Sequence, residues 1–206
     1  FKDNLDLIQN NSSLGYQGSS SDTTVATFTA NGSAASQSIN SSLTISSLAT
    51  AHTLTGPTYA STSATVGANT IAISFGTWSA DPTAGGGQTH TSNGQSTITV
   101  TPTSTTTLSQ LRDMINNAST DSDSDGTKDV VASIIYDGTN YMLALKSQFG
   151  ASNEMKVSDT AVVYAYDATD GAKLTQRVAG TDASFTVDGI GMTRSSKSVT
   201  DLFSGM

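Results

Sequence analysis

A chain of 206 residues carries 9 basic against 17 acidic side chains, a formal charge of −8, with no Lys or Arg between Lys2 and Arg112. That argues against nucleic-acid or anionic-membrane binding, since both need a basic patch to recruit phosphate. Cysteine is absent, so neither a disulfide framework nor a thiolate metal site can form.

Apolar residues make up 35% of the chain, below the usual share of about 45–50% even allowing for the glycine counted there. With Ser, Thr, Ala and Gly filling much of the rest, this predicts thin β-layers over small cores, in one large or two small domains. No run approaches the roughly 18 apolar residues that span a bilayer. Phe1 begins inside a helix-like pattern with no basic and apolar leader, so the sequence reads as starting within a longer protein.

Phe1, Leu5 and Ile8 recur at helical spacing until Asn10, Asn11, Ser12 and Ser13 break the pattern, which predicts the tail of a helix over residues 1–14. A polar linker over 18–22 leads to predicted strands at 23–30 and 39–45, with Asn31-Gly32 turning between them. The run from Leu43 to Leu54 continues strand-like. Ile71, Ile73 and Phe75 alternate in a strand over 70–75, whose end at Gly76-Thr77-Trp78 opens a loop through Pro82 and Gly85-Gly86-Gly87. Ile98 and Val100 mark a further strand.

Thr107 and Gln110 form a capping box ahead of Leu108, Leu111 and Ile115, whose spacing predicts a short amphipathic helix over 106–117. An acidic loop follows over 121–129. Val130 to Tyr136, the turn Asp137-Gly138-Thr139-Asn140, and Tyr141, Leu143 and Leu145 then read as a β-hairpin. Residues 155–157 and 161–166 are strand candidates, and Asp170-Gly171 a turn. Phe185 and Val187 alternate up to Asp188-Gly189, Ile190 and Met192 alternate beyond it, and Ser198 with Asp201 reads as a looser capping box opening a helix.

Candidate sites are few. Asp121, Asp123, Asp125 and Gly126 match the opening of a calcium loop, but the twelfth position is Ala132 where a bidentate acid belongs, so a solvated helix-to-strand loop without metal is expected. His52 and His90 are the only histidines, and no Gly-x-Ser-x-Gly elbow accompanies them. Exposed polar residues are the expectation, with no catalytic or cofactor-binding residues. Trp78, following an apolar strand, is expected to plug a thin core. The Gly85–Gly87 run lacks the Lys-Ser or Lys-Thr of a phosphate cradle. Arg112, next to Leu111, falls on the outer helix face.

Two segments together resemble a known family. Leu108, Leu111, Arg112, Asp113, Ile115 and Asn116 stand as in the Leu-x-x-Leu-Arg-Asp-x-Ile-Asn motif of flagellar proteins. Ala183, Phe185, Val187, Asp188, Gly189, Thr193, Arg194, Ser195, Ser196, Val199 and Asp201 are similar to a run of the filament-capping proteins, also called hook-associated protein 2 or the FliD family. Ser20-Ser21-Asp22, the run from Leu43 to Leu54, and Phe75-Gly76-Thr77-Trp78 extend the likeness in order, while Lys197 stands where the family usually has Asn.

The resemblance implies a mainly β fold of two small antiparallel β domains, one inserted in the other, with one short amphipathic helix. Residues 20–62 plus 179–206 would form the outer head domain, 63–178 the inserted head domain, and 1–19 the end of a truncated helical region and linker. It implies a structural, non-enzymatic cap at the distal tip of the bacterial flagellar filament, extracellular, exported through the flagellar secretion channel without a cleaved signal peptide. Its implied partners are further copies in a ring, flagellin and other filament-tip proteins, with no nucleic acid and no membrane. A carbohydrate- or mucin-binding adhesin β-domain is the alternative, supported by low charge, Ser/Thr richness and Trp78.

Overall fold

The structure, a computed structural model, describes residues 19–27, 40–80, 88–167 and 173–202. The expected helix over 1–14, the Asn31-Gly32 turn, the Gly85–Gly87 loop and the Asp170-Gly171 turn lie outside them.

The described residues form strands β1 (Leu43–Ser47), β2 (Ala51–Tyr59), β3 (Ile71–Ala80), β4 (Gln88–Ser92) and β5 (Ile98–Val100), then helix α1 (Leu108–Ala118). Strands β6 (Val130–Tyr136), β7 (Tyr141–Phe149), β8 (Glu154–Asp159), β9 (Thr175–Val178), β10 (Ala183–Val187) and β11 (Ile190–Arg194) follow. They make three sheets: β1-β10-β11; β6-β7-β2-β9; and β3 flanked by β4, β5 and β8. The β2–β7, β2–β9, β6–β7, β10–β11 pairings and those around β3 are antiparallel. Among the described residues the fold is mainly antiparallel β with one α-helix, as the sequence predicts.

By compactness the chain divides into two units, Thr44–Lys197 and a second of Phe1–Leu43 with Ser198–Met206. In the second, the expected strand at 23–30 is a turn where it is described. The Asp22 carboxylate accepts from both the amide and the hydroxyl of Thr24, and the amides of Val25 and Ala26 donate to the Asp22 carbonyl. Local side-chain bonding has displaced an extended backbone. Likewise no helix starts within residues 198–202.

In the larger unit the core gathers Leu54, Ile71, Ile73, Phe75, Leu108, Leu111, Ile115, Leu143, Leu145, Met155 and Tyr164, all buried. The α1 stripe of Leu108, Leu111 and Ile115 is completely covered, each burial contributing about 1.5–3 kcal/mol. The helix begins as predicted: Thr107 accepts from the Gln110 amide and the Gln110 side chain accepts from the Thr107 amide.

Four features differ from expectation. Strand β3 continues through Gly76, Thr77 and Trp78 to Ala80 by pairing with β4, where a loop was expected. Gly76 is required there, since a Cβ would lie 2.0 Å from the Thr91 carbonyl oxygen. Residues 161–166 form turns and a single bridge, not a strand. The Asp159 carboxylate accepts from the amides of Ala161, Val163 and Tyr164, which curls the chain despite its β-branched residues and holds Val162 at φ 57°. Strands β4 and β9 have exposed or half-buried residues with no apolar alternation to announce them. Finally β2, expected in the outer domain, lies in the interior of the four-stranded sheet between β7 and β9.

The change from one sheet to the next happens at a narrow crossing. Thr50 and Thr181 exchange backbone bonds of 2.9 and 3.2 Å, and their hydroxyls lie 2.7 Å apart. The Thr50 hydroxyl also donates to the Ala179 carbonyl, and the Gly150 amide to the Thr50 carbonyl.

Candidate functional site

The acidic loop brings together the three carboxylates that the sequence singles out. Oxygens of Asp121, Asp123 and Asp125 lie within 4.8 Å of one another, all exposed. The amides of Asp125 and Gly126 donate to Asp121, the Thr127 amide donates to Asp125, and Gln148 Nε2 reaches Asp123, Asp125 and the Thr127 hydroxyl at 3.1–3.3 Å. Asp129 stands apart from this group. Buried, it accepts from the Thr120 hydroxyl and from the amide and hydroxyl of Ser122, fastening the base of the loop.

Trp78 and the two histidines meet near β8. The indole Nε1 donates to the Met155 carbonyl, and the ring lies 4.7 Å from His90 and 6.1 Å, edge-on, from Tyr166. Trp78 is packed against the core, as a plug. His90 Nε2 donates to the Glu154 carbonyl at 3.1 Å.

His52 corrects the expectation of exposure, for none of its surface reaches solvent. Its Nδ1 accepts the Met155 amide at 2.8 Å, which leaves the proton on Nε2. Burial pushes the imidazole down to about 4, with the Gln176 side chain opposing and the His90 charge adding. Covered in this way, His52 is shut off from any solvent-borne substrate, so the histidines do not assemble into a general base for hydrolysis.

The motif on α1 divides by face. Leu108, Leu111 and Ile115 point into the core, while Arg112 pairs with neighbouring Asp113 at 2.6 Å on the outside. Asn116 takes a role that no local motif announces. Its Oδ1 accepts the Ala132 amide and its Nδ2 donates to the Ala132 carbonyl, both at 2.8 Å, along the outer edge of β6. The strand displays exposed Val131 just before that point and exposed Ile135 and Tyr136 beyond it, the last with its ring 4.7 Å from that of Tyr141. A second exposed apolar residue group ends the β10–β11 hairpin, where Asp188 (φ 52°) and Gly189 (φ 82°) form the primed turn that carries Ile190.

No family model and no curated protein sequence matches this chain. Solved structures do. The D2-D3 domains of the flagellar cap protein FliD from Serratia marcescens share 26% identity at a TM-score of 0.63, over 80% of this chain and 82% of that one. FliD from Pseudomonas aeruginosa PAO1 shares 26% at 0.55, over 82% and 72%. The D1-D2-D3 domains of the Escherichia coli protein share 25% at 0.62, over 79% of this chain, which spans only 44% of that one. The antiparallel sheets with helix α1 thus define a mainly β protein of the flagellar cap D2-D3 fold. The likeness to these FliD structures, at 25–27% identity over 79–82% of the chain, supports FliD-family identity.

Proposed function

We propose that this chain supplies the head domains of a cap at the distal tip of the bacterial flagellar filament, where it promotes the insertion of flagellin. The observation that carries this is the D2-D3 fold held in common over 80% of the chain. On this reading the heads are extracellular, reached through the flagellar secretion channel without a cleaved signal peptide. The full-length protein self-associates in a ring and touches flagellin and other filament-tip proteins. It works by shape and contact, without catalysis or a cofactor. On the same proposal the β1-β10-β11 sheet belongs to the outer head domain and residues 51–178 to the inserted one. A boundary near 50/51, in place of the expected 62/63, is favoured because β2 is bonded on both sides within the four-stranded sheet.

Deleting the full-length gene tests the proposal. Unpolymerised flagellin should leak into the medium and cease to leak when the gene is restored. Normal filaments with no leakage would overturn it.

A glycan- or mucin-binding role for the same heads is a second reading, favoured by the exposed Tyr136 stacked on Tyr141. Glycan-array binding that is lost on Tyr136→Ala would support it, and an array with no binding would remove it.

A further inference from the structure

We propose that Asn116 guards the edge of β6, preventing this strand from adding a second copy of itself across the open side of the sheet. Among the described residues strand β6 is the outermost of four, with β7 on one flank only. Its residues Val130, Ala132, Ile134 and Tyr136 direct their amides and carbonyls away from β7, and an unpaired row of this kind is a template for another strand. The Asn116 side chain meets that row with one donor and one acceptor, the pair of bonds that the next strand would make with Ala132. Ser119 Oγ accepts the Val130 amide at 3.1 Å, and Lys128 Nζ, bonded to the carbonyls of Asn116 and Ser119, puts a charge beside the same stretch. Helix α1 therefore closes the first half of the edge through its last turn. Among the described residues no comparable side chain reaches Ile134 or the Tyr136 backbone.

What is held back is a strand well suited to self-pairing. The segment from Val130 to Tyr136 has no charge and no Pro, is rich in β-branched and aromatic residues, and exposes Val131, Ile135 and Tyr136. An antiparallel mate centred on Ile134 sets Ala132 opposite Tyr136 twice over, a self-complementary register with a two-fold axis. No like charges meet in it, so the net charge of −8 opposes the approach only at long range. Ala132 must be free for this register, and Asn116 occupies it.

The 206-residue chain with Asn116→Ala is compared by sedimentation and light scattering with the unsubstituted chain and with Ile115→Val, which loosens the same helix without touching the edge. Asn116→Ala should self-associate at least about tenfold more strongly than either. Adding Ile134→Lys should return it to monomer without recovering stability, since a charge on the edge blocks pairing. Asn116→Asp, which still accepts the Ala132 amide but cannot donate to its carbonyl, should fall between. In the unsubstituted chain the Ala132 amide should exchange with solvent about tenfold or more slowly than that of Ile134, a reading that needs no variant to fold. Equal exchange of the two amides, or a monomeric Asn116→Ala, or equal association of Asn116→Ala and Ile115→Val, would overturn the proposal.

Discussion

The backbone amide of Met155 donates to Nδ1 of His52 over 2.8 Å, joining β8 to β2 where solvent does not reach. To take a proton His52 must give up that bond, and its value near 4 lies below the 6.5 of an unconstrained imidazole. The folded protein thus binds fewer protons than the unfolded chain between those values. The resulting stability is complete above pH 6.5, is lost as pH falls toward 4, and amounts to about 3 kcal/mol. Urea melts near pH 7 and about pH 4.5 should show the unsubstituted chain losing roughly 2–3 kcal/mol more than His52→Gln. Parallel losses in both would assign the acid sensitivity elsewhere.

Asp159 holds the 161–164 turn by accepting three amides, and also the Asn69 side chain at 2.8 Å. Asp159→Ala strands these donors, of which the Tyr164 amide and the Asn69 side chain are buried, and should cost about 3–5 kcal/mol, while Asp159→Asn, which keeps one acceptor oxygen, should cost roughly half as much. Amide exchange at Val163 and Tyr164 should quicken with both. A change within ~0.5 kcal/mol for Asp159→Ala in denaturant would mean that the turn stands without its carboxylate.

Leu111 and Arg112 are adjacent and should differ sharply. Leu111 is wholly buried, so Leu111→Ala should cost about 2–5 kcal/mol. The Arg112–Asp113 pair is partly solvated, and Arg112→Ala should cost under about 1 kcal/mol. Equal losses in denaturant melts would contradict the packing of α1.

The Asp121, Asp123 and Asp125 carboxylates already accept from backbone amides and from Gln148. The chain should therefore fold without metal, and EDTA should leave its melting temperature unchanged. A fall of roughly 3 °C or more, about 1 kcal/mol for a domain of this size, would make the loop a structural ion site.

Elements written by neighbours in sequence were legible. Helix α1 was predicted down to its capping box because Thr107, Gln110 and the apolar stripe act within a few residues of one another. The β10–β11 hairpin follows for the same reason from Asp188-Gly189. Residues 161–166 carry strand-like side chains, but propensity yields to a carboxylate that reaches four and five residues ahead. His52 looked exposed because its neighbours are polar, whereas β2 has a strand on both sides and is covered on both faces near Ala51 and Leu54. The function of Asn116 depends on β6 being an edge, a fact of topology that no window of sequence contains.

At the Thr50–Thr181 crossing, both chain connections between the β1-β10-β11 sheet and the rest of the larger unit run side by side and are bonded to each other. Residues 51–178 therefore leave and rejoin that sheet at one place, so their number is free to change without stretching it. A short turn from Thr50 to Thr181 would close the same gap. Growth or shrinkage of the excursion is felt at its far end, and the three-stranded sheet serves as a socket indifferent to the size of what it carries.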